Sequence, residues 1–125
     1  MRIRLSAILG LLGVILGASG AHGSLHDRLI ATGELAHWQT AVQYHLIHAV
    51  LAVALALCSS AGGKRAQWAW RCLVMGILLF SGSLYVLAIT QIKSLGAVTP
   101  FGGLSLMLGW LLLAAAQWDV NSREP

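Results

Sequence analysis

Residues 73–92 read LVMGILLFSGSLYVLAITQI and contain no Lys, Arg, Asp or Glu. A helix needs roughly 17–25 mostly apolar residues to cross the hydrocarbon core of a bilayer, and this stretch has that length. Backbone N–H and C=O groups cannot stay unpaired in lipid, so such a stretch favours a helix, in which these groups pair with each other. The stretch therefore predicts a membrane-spanning helix.

The same pattern occurs at 5–21, 38–63 and 94–118. Hydrophobic residues make up 58% of the 125 residues and charged residues only 10%, whereas soluble domains usually contain about 45–50% apolar residues. We therefore predict an all-α membrane protein, a four-transmembrane-helix bundle that forms one domain over 1–125. The predicted spans are about 4–21, 38–59, 69–92 and 100–118, and a short polar tail covers 119–125.

The basic residues predict which side of the membrane each loop faces, because Lys and Arg in short loops are retained in the cytoplasm. Six of the eight basic residues lie on one side: before the first span, between the second and third spans, or after the fourth. The other two lie in the remaining loops. This split predicts that both termini are cytoplasmic. The net charge of +4 is spread over short loops, so it favours contact with the lipid bilayer and indicates no nucleic-acid patch. The six are Arg2, Arg4, Lys64, Arg65, Arg71 and Arg123, and the two are Arg28 and Lys93.

The first span has two interpretations. Its basic start, apolar stretch and small final residues are also typical of a cleavable secretory signal. Against cleavage, Gly10, Gly13, Gly17 and Gly20 recur at alternating steps of three and four residues, which places them on one helix face. Small residues at this spacing let a neighbouring backbone approach closely in lipid. We therefore predict a retained helix that packs through these glycines.

The loop between the first two spans is predicted to contain a short helix. Ser24 followed by Asp27 is a variant of the capping box that starts a helix, and Gly33 is placed to end it. Leu25 and Leu29 share a face. We predict that this helix lies flat at the outer membrane surface, with its leucines in the interface.

Several residues near the span ends carry specific predictions. Trp38 lies at the depth of an interfacial anchor. Thr99 and Pro100 fit the N-cap and first position of the fourth helix. Lys93 is then predicted in the last turn of the third helix, where a cation complements the helix dipole. Trp110 falls in the middle of the fourth span, so its indole N–H is predicted to bond to another helix.

The second predicted helix and the residue just before its span carry His37, Thr40, Tyr44, His45 and His48, a high density of polar side chains for a membrane helix. At about 100° per residue, the histidines form one broad stripe. Ionisable side chains in a membrane usually face the bundle interior or a water-filled cavity. Two interpretations stay open: neutral imidazoles that hydrogen-bond between helices, or a path along which His45 and His48 exchange protons near neutral pH.

The composition gives little support to a cofactor, a metal site or an enzyme. Haem held by two histidines needs imidazoles on opposite faces, and the third and fourth spans contain no histidine. His22 and His26 lie one helical turn apart with Asp27, Glu34 and His37 nearby, but the spacing matches no closed zinc motif. No Asp or Glu lies within a span, and no nucleophile elbow or phosphate-binding glycine loop is present. We predict no catalytic, cofactor-binding or metal-binding residue.

Five strings are specific enough to indicate a family: GAHG at 20–23, WQTAVQY at 38–44, HA at 48–49, FSGSLY at 80–85, and LG at 95–96 with TPFGG at 99–103. Over about residues 5–118 the chain closely resembles the domain of unknown function 423 family, which includes bacterial inner-membrane proteins and the eukaryotic transmembrane protein 256. The resemblance implies a four-helix protein of the bacterial inner membrane and carries over no activity. The candidate functional polar residues within these family-like strings are His22, Trp38, Thr40, Tyr44, His48, Ser81, Ser83, Tyr85 and Thr99.

Two functions are consistent with these patterns. The first is a structural or accessory membrane component, whose small residues hold helices together or recruit a partner as a homo-oligomer or larger complex. The second is a conduit for protons or a small solute along His48, Tyr44, Ser81, Ser83 and Tyr85, which needs an oligomer because four helices rarely enclose a pore. The predicted helix-packing residues are Gly10, Gly13, Gly17, Gly20, Gly82, Gly102, Gly103 and Gly109.

Overall fold

A computed structural model describes residues 1–58 and 63–117, which are helical apart from short turns and contain no β-strand. Four stretches within these two ranges are long and apolar enough to cross a membrane: Arg2–Ala21, Leu35–Leu57, Gly63–Thr90 and Lys93–Ala114. The all-α prediction is therefore confirmed for the described chain. Residue 59 of the predicted second span, Trp118 and the tail 119–125 lie outside the described residues.

The four stretches are built from five α-helices and two short irregular ones, and a sixth α-helix lies between the first two stretches. A π-helical turn, Ile77–Ser81, joins two of the helices, so that Gly63–Thr90 continues as one long helix, and a 3-10 turn, Lys93–Ala97, precedes the last helix. The α-helices are α1 (Arg2–Ala21), α2 (Gly23–Thr32), α3 (Leu35–Leu57), α4 (Gly63–Gly76), α5 (Gly82–Thr90) and α6 (Thr99–Ala114).

Two long helices begin three or more residues before the predicted spans. α3 begins before position 38, because the Glu34 carbonyl already accepts the backbone N–H of Trp38 at 3.1 Å. α4 begins at Gly63, and its polar first turns bury Ala66 and Ala69 in a cluster with α6. An amphipathic start of this kind contains charged residues on its exposed side, so a search for uncharged stretches misses it.

The end of the third long helix corrects the prediction for Lys93. Gln91 has a left-handed backbone with φ of 58°, and its N–H donates to the Leu87 carbonyl at 2.7 Å, so that α5 ends at Thr90. Lys93 lies beyond this turn and starts the 3-10 turn instead. Its charge therefore does not lie in the last turn of the helix, where the dipole interaction operates.

The start of α6 also differs by one position from the prediction. Val98 stands at the N-cap position and Thr99 is the first helical residue. The Thr99 hydroxyl forms a hydrogen bond of 2.8 Å with Ser83 on α5, and it does not cap α6. Pro100 lies in the first turn, where its missing N–H costs no helical hydrogen bond.

The loop between α1 and α3 contains a short helix, α2, that ends at Gly33 with φ of 75°. The predicted cap is wrong: His22 stands at the N-cap position, no side chain caps the helix, and Ser24 lies in the first turn. Leu29 is fully buried and Leu25 packs beside it, against residues of α3 and α5. The leucines therefore contact protein, which corrects the prediction that they lie in a lipid interface.

α3 stands at the centre of the fold. It packs along α1 on one side and against α4 and α5 on the other, while α6 packs along α4 and the π-helical turn. Apolar clusters follow α3 from Trp38 near its start, past Ala49, to Leu55 near its end. The outward faces are also apolar: Leu11 on α1 is 60% exposed and Leu111 on α6 is 67% exposed.

Candidate functional site

Trp38 begins a polar cluster between α1, α3 and α5. Its side chain is 2% exposed, and its indole N–H donates to the Leu16 carbonyl oxygen on α1 at 3.0 Å. Its ring meets that of Tyr85 edge to face, with centroids 4.8 Å apart. The ring is therefore buried between helices and does not contact a lipid interface, so the interfacial-anchor prediction is wrong. Gly20 on α1 has no side chain and leaves room for the indole.

His45 extends this cluster further along α3. Its Nδ1 lies 3.3 Å from the Tyr85 hydroxyl, and both residues are buried. One edge of the ring faces Gly13 on α1, and Nε2 has no hydrogen-bond partner among the described residues. His45 lies outside the family-like strings and was not a candidate site residue, although its place on the histidine stripe was a usable signal.

His48 connects α3 to α6. The Trp110 indole N–H donates to His48 Nε2 at 3.1 Å, and His48 Nδ1 lies 2.7 Å from the Tyr44 carbonyl oxygen. An indole can only donate, so Nε2 accepts and Nδ1 carries the proton that it donates to the carbonyl. This arrangement assigns a neutral imidazole, and it confirms the prediction that Trp110 bonds to another helix.

An open cleft lies beside His48 on the surface between α3 and α6. The ring of Tyr44 stacks on His48 with centroids 5.8 Å apart and contacts Phe80 at 4.6 Å. Tyr44 is 41% exposed. The cleft has a volume of about 330 Å³ and is lined by Tyr44, His48, Phe80, Gly103, Leu106, Met107 and Trp110.

Ser83 and Thr99 join the start of α5 to the start of α6. Their hydroxyl oxygens lie 2.8 Å apart, and Ser83 Oγ also donates to the Phe80 carbonyl at 3.0 Å. Because Ser83 uses its proton on the carbonyl, Thr99 donates to Ser83. The pair therefore acts as a short polar link between two helices.

The remaining candidates lie apart from these clusters. Ser81, in the π-helical turn, is fully buried, and its hydroxyl has no hydrogen-bond partner among the described residues. Thr40 Oγ1 donates to the Ala36 carbonyl of its own helix at 2.9 Å. His22 is exposed at the junction of α1 and α2.

The predicted conduit residues do not form one hydrogen-bonded chain within the described structure. Tyr85 bonds to His45, while both ring nitrogens of His48 are used by Trp110 and by the Tyr44 carbonyl. Ser83 bonds toward α6. The conduit residues thus fall into separate groups around Tyr85, His48 and Ser83, and Ser81 belongs to none of these groups in the described structure.

Most of the predicted packing glycines lie at close helix contacts. A Cβ at Gly13 or Gly17 would meet Leu46 or Val42 on α3, and one at Gly20 would overlap Trp38. On α6, a Cβ at Gly102 would overlap the Phe80 backbone, one at Gly109 would lie 2.8 Å from the Leu73 side chain, and one at Gly103 would lie 3.7 Å from the Phe80 ring.

Gly10 and Gly82 correct the prediction, because no atom of a neighbouring helix lies within 4 Å of where their Cβ would be. The buried residues of α1 are Ser6, Leu9, Gly13 and Gly20. At about 100° per residue, Gly10 lies roughly 70° from the mean direction of these four, at the edge of the packing face. Gly82 follows buried Ser81, and its Cβ direction opens into free space.

The interhelical bond between Trp70 and Ser6 was missed by sequence reasoning. The Trp70 indole N–H on α4 donates to Ser6 Oγ on α1 at 2.9 Å, and Ser6 is fully buried. Ser6 precedes Gly13 by seven residues, which places it on the same face of α1. That spacing was the available signal.

The polar residues around α2 are held locally. His26 Nδ1 lies 2.9 Å from the Gly20 carbonyl oxygen, and His37 Nδ1 lies 2.7 Å from Glu34 Oε2. Within 1–58 and 63–117, no three His, Cys, Asp or Glu side chains come together in a way that could hold a metal ion.

Comparison with known proteins gives a consistent set of relatives. The family model described as protein of unknown function (DUF423) matches residues 16–103. The UPF0382 membrane protein YwdK of Bacillus subtilis is 43% identical over 116 residues, which cover 91% of this chain and 93% of the relative. UPF0382 membrane proteins of Staphylococcus haemolyticus (40% identical, 89% of each chain) and Haemophilus influenzae (36% identical, 96% of this chain and 95% of the relative) are also similar. No solved structure matches the chain significantly.

Proposed function

This chain belongs to the DUF423 family of proteins of unknown function, and on that premise we propose that it is a multi-pass protein of the bacterial inner membrane. The relatives that it matches over most of their length are named membrane proteins. The four long apolar stretches cross the bilayer as a four-transmembrane-helix bundle, and α2 lies at the outer surface.

The outward faces of the helices support this placement. Soluble monomers rarely expose contiguous apolar patches larger than a few hundred Å², because exposed apolar area costs roughly 25 cal/mol per Å² in water. Lipid removes that cost. The exposed apolar side chains on the long helices include Ile8, Leu11, Ile47, Val50, Leu78, Leu104, Leu108 and Leu111.

The charges at the two ends support cytoplasmic termini. Arg2 on α1 bonds to Gln67 on α4, and Arg65 donates to the Ala115 carbonyl after α6, so these helix ends lie together. We call this end, with Arg2, Arg4, Lys64, Arg65 and Arg71, the basic end. Arg28 instead bonds to the last turn of α5, at the opposite end. Placing the basic end in the cytoplasm agrees with the retention of Lys and Arg on that side.

The role that fits the interior best is that of a structural or accessory component without enzymatic activity, which recruits partners as a homo-oligomer or in a larger complex. The observation that carries it is the pairing of interior polar groups across helices, such as Trp110 with His48 and Thr99 with Ser83. Such bonds contribute on average about 0.6 kcal/mol each in a bilayer. Polar groups used in this way fix the bundle and are not available to a solute.

Flux through proteoliposomes tests this role. Purified protein is reconstituted with a pH-sensitive dye inside, and the decay of an imposed pH gradient or small-solute gradient is compared with that of protein-free vesicles. We expect equal decay rates, because the interior polar groups do not form one connected hydrogen-bonded path within the described structure. Decay that accelerates in proportion to the amount of protein would overturn the structural role.

The second candidate function, an oligomeric conduit for protons or a small solute, is favoured by the open cleft beside Tyr44 and His48 and by the unpaired Ser81 hydroxyl among the described residues. If protein-dependent flux exists, this function requires that His48→Ala and Tyr44→Phe reduce it. Thr40→Val is the matched control, since the Thr40 hydroxyl bonds only to its own helix in the described structure. Flux that persists in both test variants excludes this path.

A further inference from the structure

A cleft at the basic end lies between the start of α1 and α4. It has a volume of about 280 Å³ and is lined by Met1, Arg2, Leu5, Trp70 and Arg71. A water molecule occupies about 30 Å³ of liquid, so the cleft has room for a group several times larger. Two arginines and one tryptophan border this space.

The two arginines have no carboxylate partner in the described part of the chain. Its acidic residues are Asp27 and Glu34, which lie in and after α2 at the opposite end of the bundle. The only ion pair found among residues 1–58 and 63–117 joins Glu34 to His37. The described residues therefore leave the positive charge of the cleft without a carboxylate partner, and an anion can complement it.

Contacts with neighbouring side chains hold the arginines in place. The Arg2 guanidinium lies 5.7 Å from the centre of the Trp70 ring and donates to Gln67 Oε1 at 3.3 Å. The Arg71 guanidinium lies 4.6 Å from the centre of the Trp68 ring. A guanidinium has five N–H donors in a planar fork that matches the oxygens of a phosphate. Within residues 1–58 and 63–117, most of the donors on each arginine have no hydrogen-bond partner and can bind such a ligand.

Trp70 forms a fixed wall of the cleft, because its N–H is bonded to the buried Ser6 hydroxyl at 2.9 Å. Leu5 forms an apolar wall and is 41% exposed. From Leu5 the outward face of α1 continues through Ile8 and Leu12, which are also exposed. The site therefore places cationic donors next to an apolar track that leads toward the middle of the bilayer.

We propose that this cleft binds an anionic phospholipid, with Arg2 and Arg71 donating to its phosphate oxygens and Leu5 contacting its acyl chain. This inference rests on the proposed membrane placement. Basic pockets between membrane helices on the cytoplasmic side are suited to phospholipid headgroups, and each Lys or Arg near such a surface strengthens the attraction. Free phosphate would use the arginines alone, whereas a lipid uses the apolar track as well.

Native mass spectrometry of the full chain, released from detergent micelles, tests the proposal. The protein is titrated with phosphatidylglycerol and with phosphatidylcholine of identical acyl chains. We expect tighter binding of phosphatidylglycerol, and a loss of about fivefold in its affinity for each arginine replaced in Arg2→Gln/Arg71→Gln. Arg2→Lys/Arg71→Lys keeps the positive charge but loses the planar fork of N–H donors. Its affinity for phosphatidylglycerol should therefore lie between those of the wild type and the double glutamine variant.

Arg28→Gln/Lys93→Gln is the matched control, because it removes two charges at the opposite end, and it should keep the wild-type preference. Equal binding of the two lipids by the wild type, or an equal loss in the control, would show diffuse attraction and overturn the site. Binding of glycerol 3-phosphate with the affinity of phosphatidylglycerol would assign a soluble phosphate and also overturn it. If the protein shows no lipid preference but stays in membranes washed with alkaline carbonate, only the lipid site is contradicted. If the wash removes the protein from the membranes, the membrane placement is contradicted.

Discussion

The bond between Trp110 and His48 explains how a tryptophan and a histidine are accommodated in the middle of long apolar helices. An indole N–H without an acceptor in lipid would cost the free energy of a lost hydrogen bond, as would an imidazole nitrogen without a donor. At 3.1 Å each residue satisfies the other, and the same contact joins α3 to α6.

Replacement of Trp110 by phenylalanine tests this pairing. Trp110→Phe leaves His48 Nε2 without its donor, and we expect the free energy of unfolding to fall by about 1 kcal/mol. Far-UV circular dichroism during a titration with sodium dodecyl sulfate measures this change. Trp68→Phe is the matched control, because Trp68 is 56% exposed, and its effect should stay within about 0.5 kcal/mol. Equal losses in the two variants would mean that the bond contributes nothing.

For single residues, the sequence predicted the position in a span but not the partner residue on another helix. The position of Trp110 within a span indicated that it needs an acceptor, but four helices offer many acceptors and only their packing selects His48. For Trp38 the sequence indicated depth, while burial depends on Gly20, eighteen positions away on another helix. Interhelical contacts of this kind depend on the rotation of each helix about its axis, which no local pattern specifies.

At the level of helices, close contacts at glycine determine how α6 and α1 approach their neighbours. Gly102 lies directly against the Phe80 backbone in the π-helical turn, and Gly20 lies against Trp38. Backbone atoms cannot move aside as the end of a side chain can, so the contact at Gly102 is the less tolerant of the two.

Alanine substitution at two glycines distinguishes a glycine in a close helix contact from one without a neighbouring helix. Gly102→Ala forces its Cβ into the Phe80 backbone, so we expect the free energy of unfolding to fall by about 1–3 kcal/mol. Gly10→Ala meets no atom within 4 Å, and alanine favours the helix over glycine, so stability should hold or rise by up to about 1 kcal/mol. Thermal unfolding in detergent compares the two variants. A loss at Gly10 equal to that at Gly102 would contradict the observed packing.

Helix ends and irregular turns were the least predictable elements. The apolar stretches indicated helices at the right places, but α5 ends through a left-handed Gln91, a residue without the usual preference for that conformation. The π-helical turn at Ile77–Ser81 also lies within an apolar stretch that shows no break. The turn contains Phe80, whose backbone lies directly against Gly102 of another helix, and this contact depends on residues far apart in the sequence.

For the whole molecule, the family resemblance based on short strings is confirmed by the family-model match over residues 16–103 and by relatives about 40% identical. The apolar outer faces and the segregation of five basic residues to one end were both readable from the sequence, because they depend on composition and order alone. The proposed membrane placement uses both features: apolar faces in the lipid and the basic end in the cytoplasm.

Cysteine labelling in intact cells measures this placement most directly. Cys58 and Cys72 are replaced by alanine, and single cysteines are introduced by Ala31→Cys in α2 or Lys64→Cys at the basic end, both exposed positions. A thiol reagent that cannot cross the inner membrane is then added. The proposed placement predicts labelling at position 31 in intact cells and at position 64 only after the cells are opened. Labelling at position 64 in intact cells would contradict it.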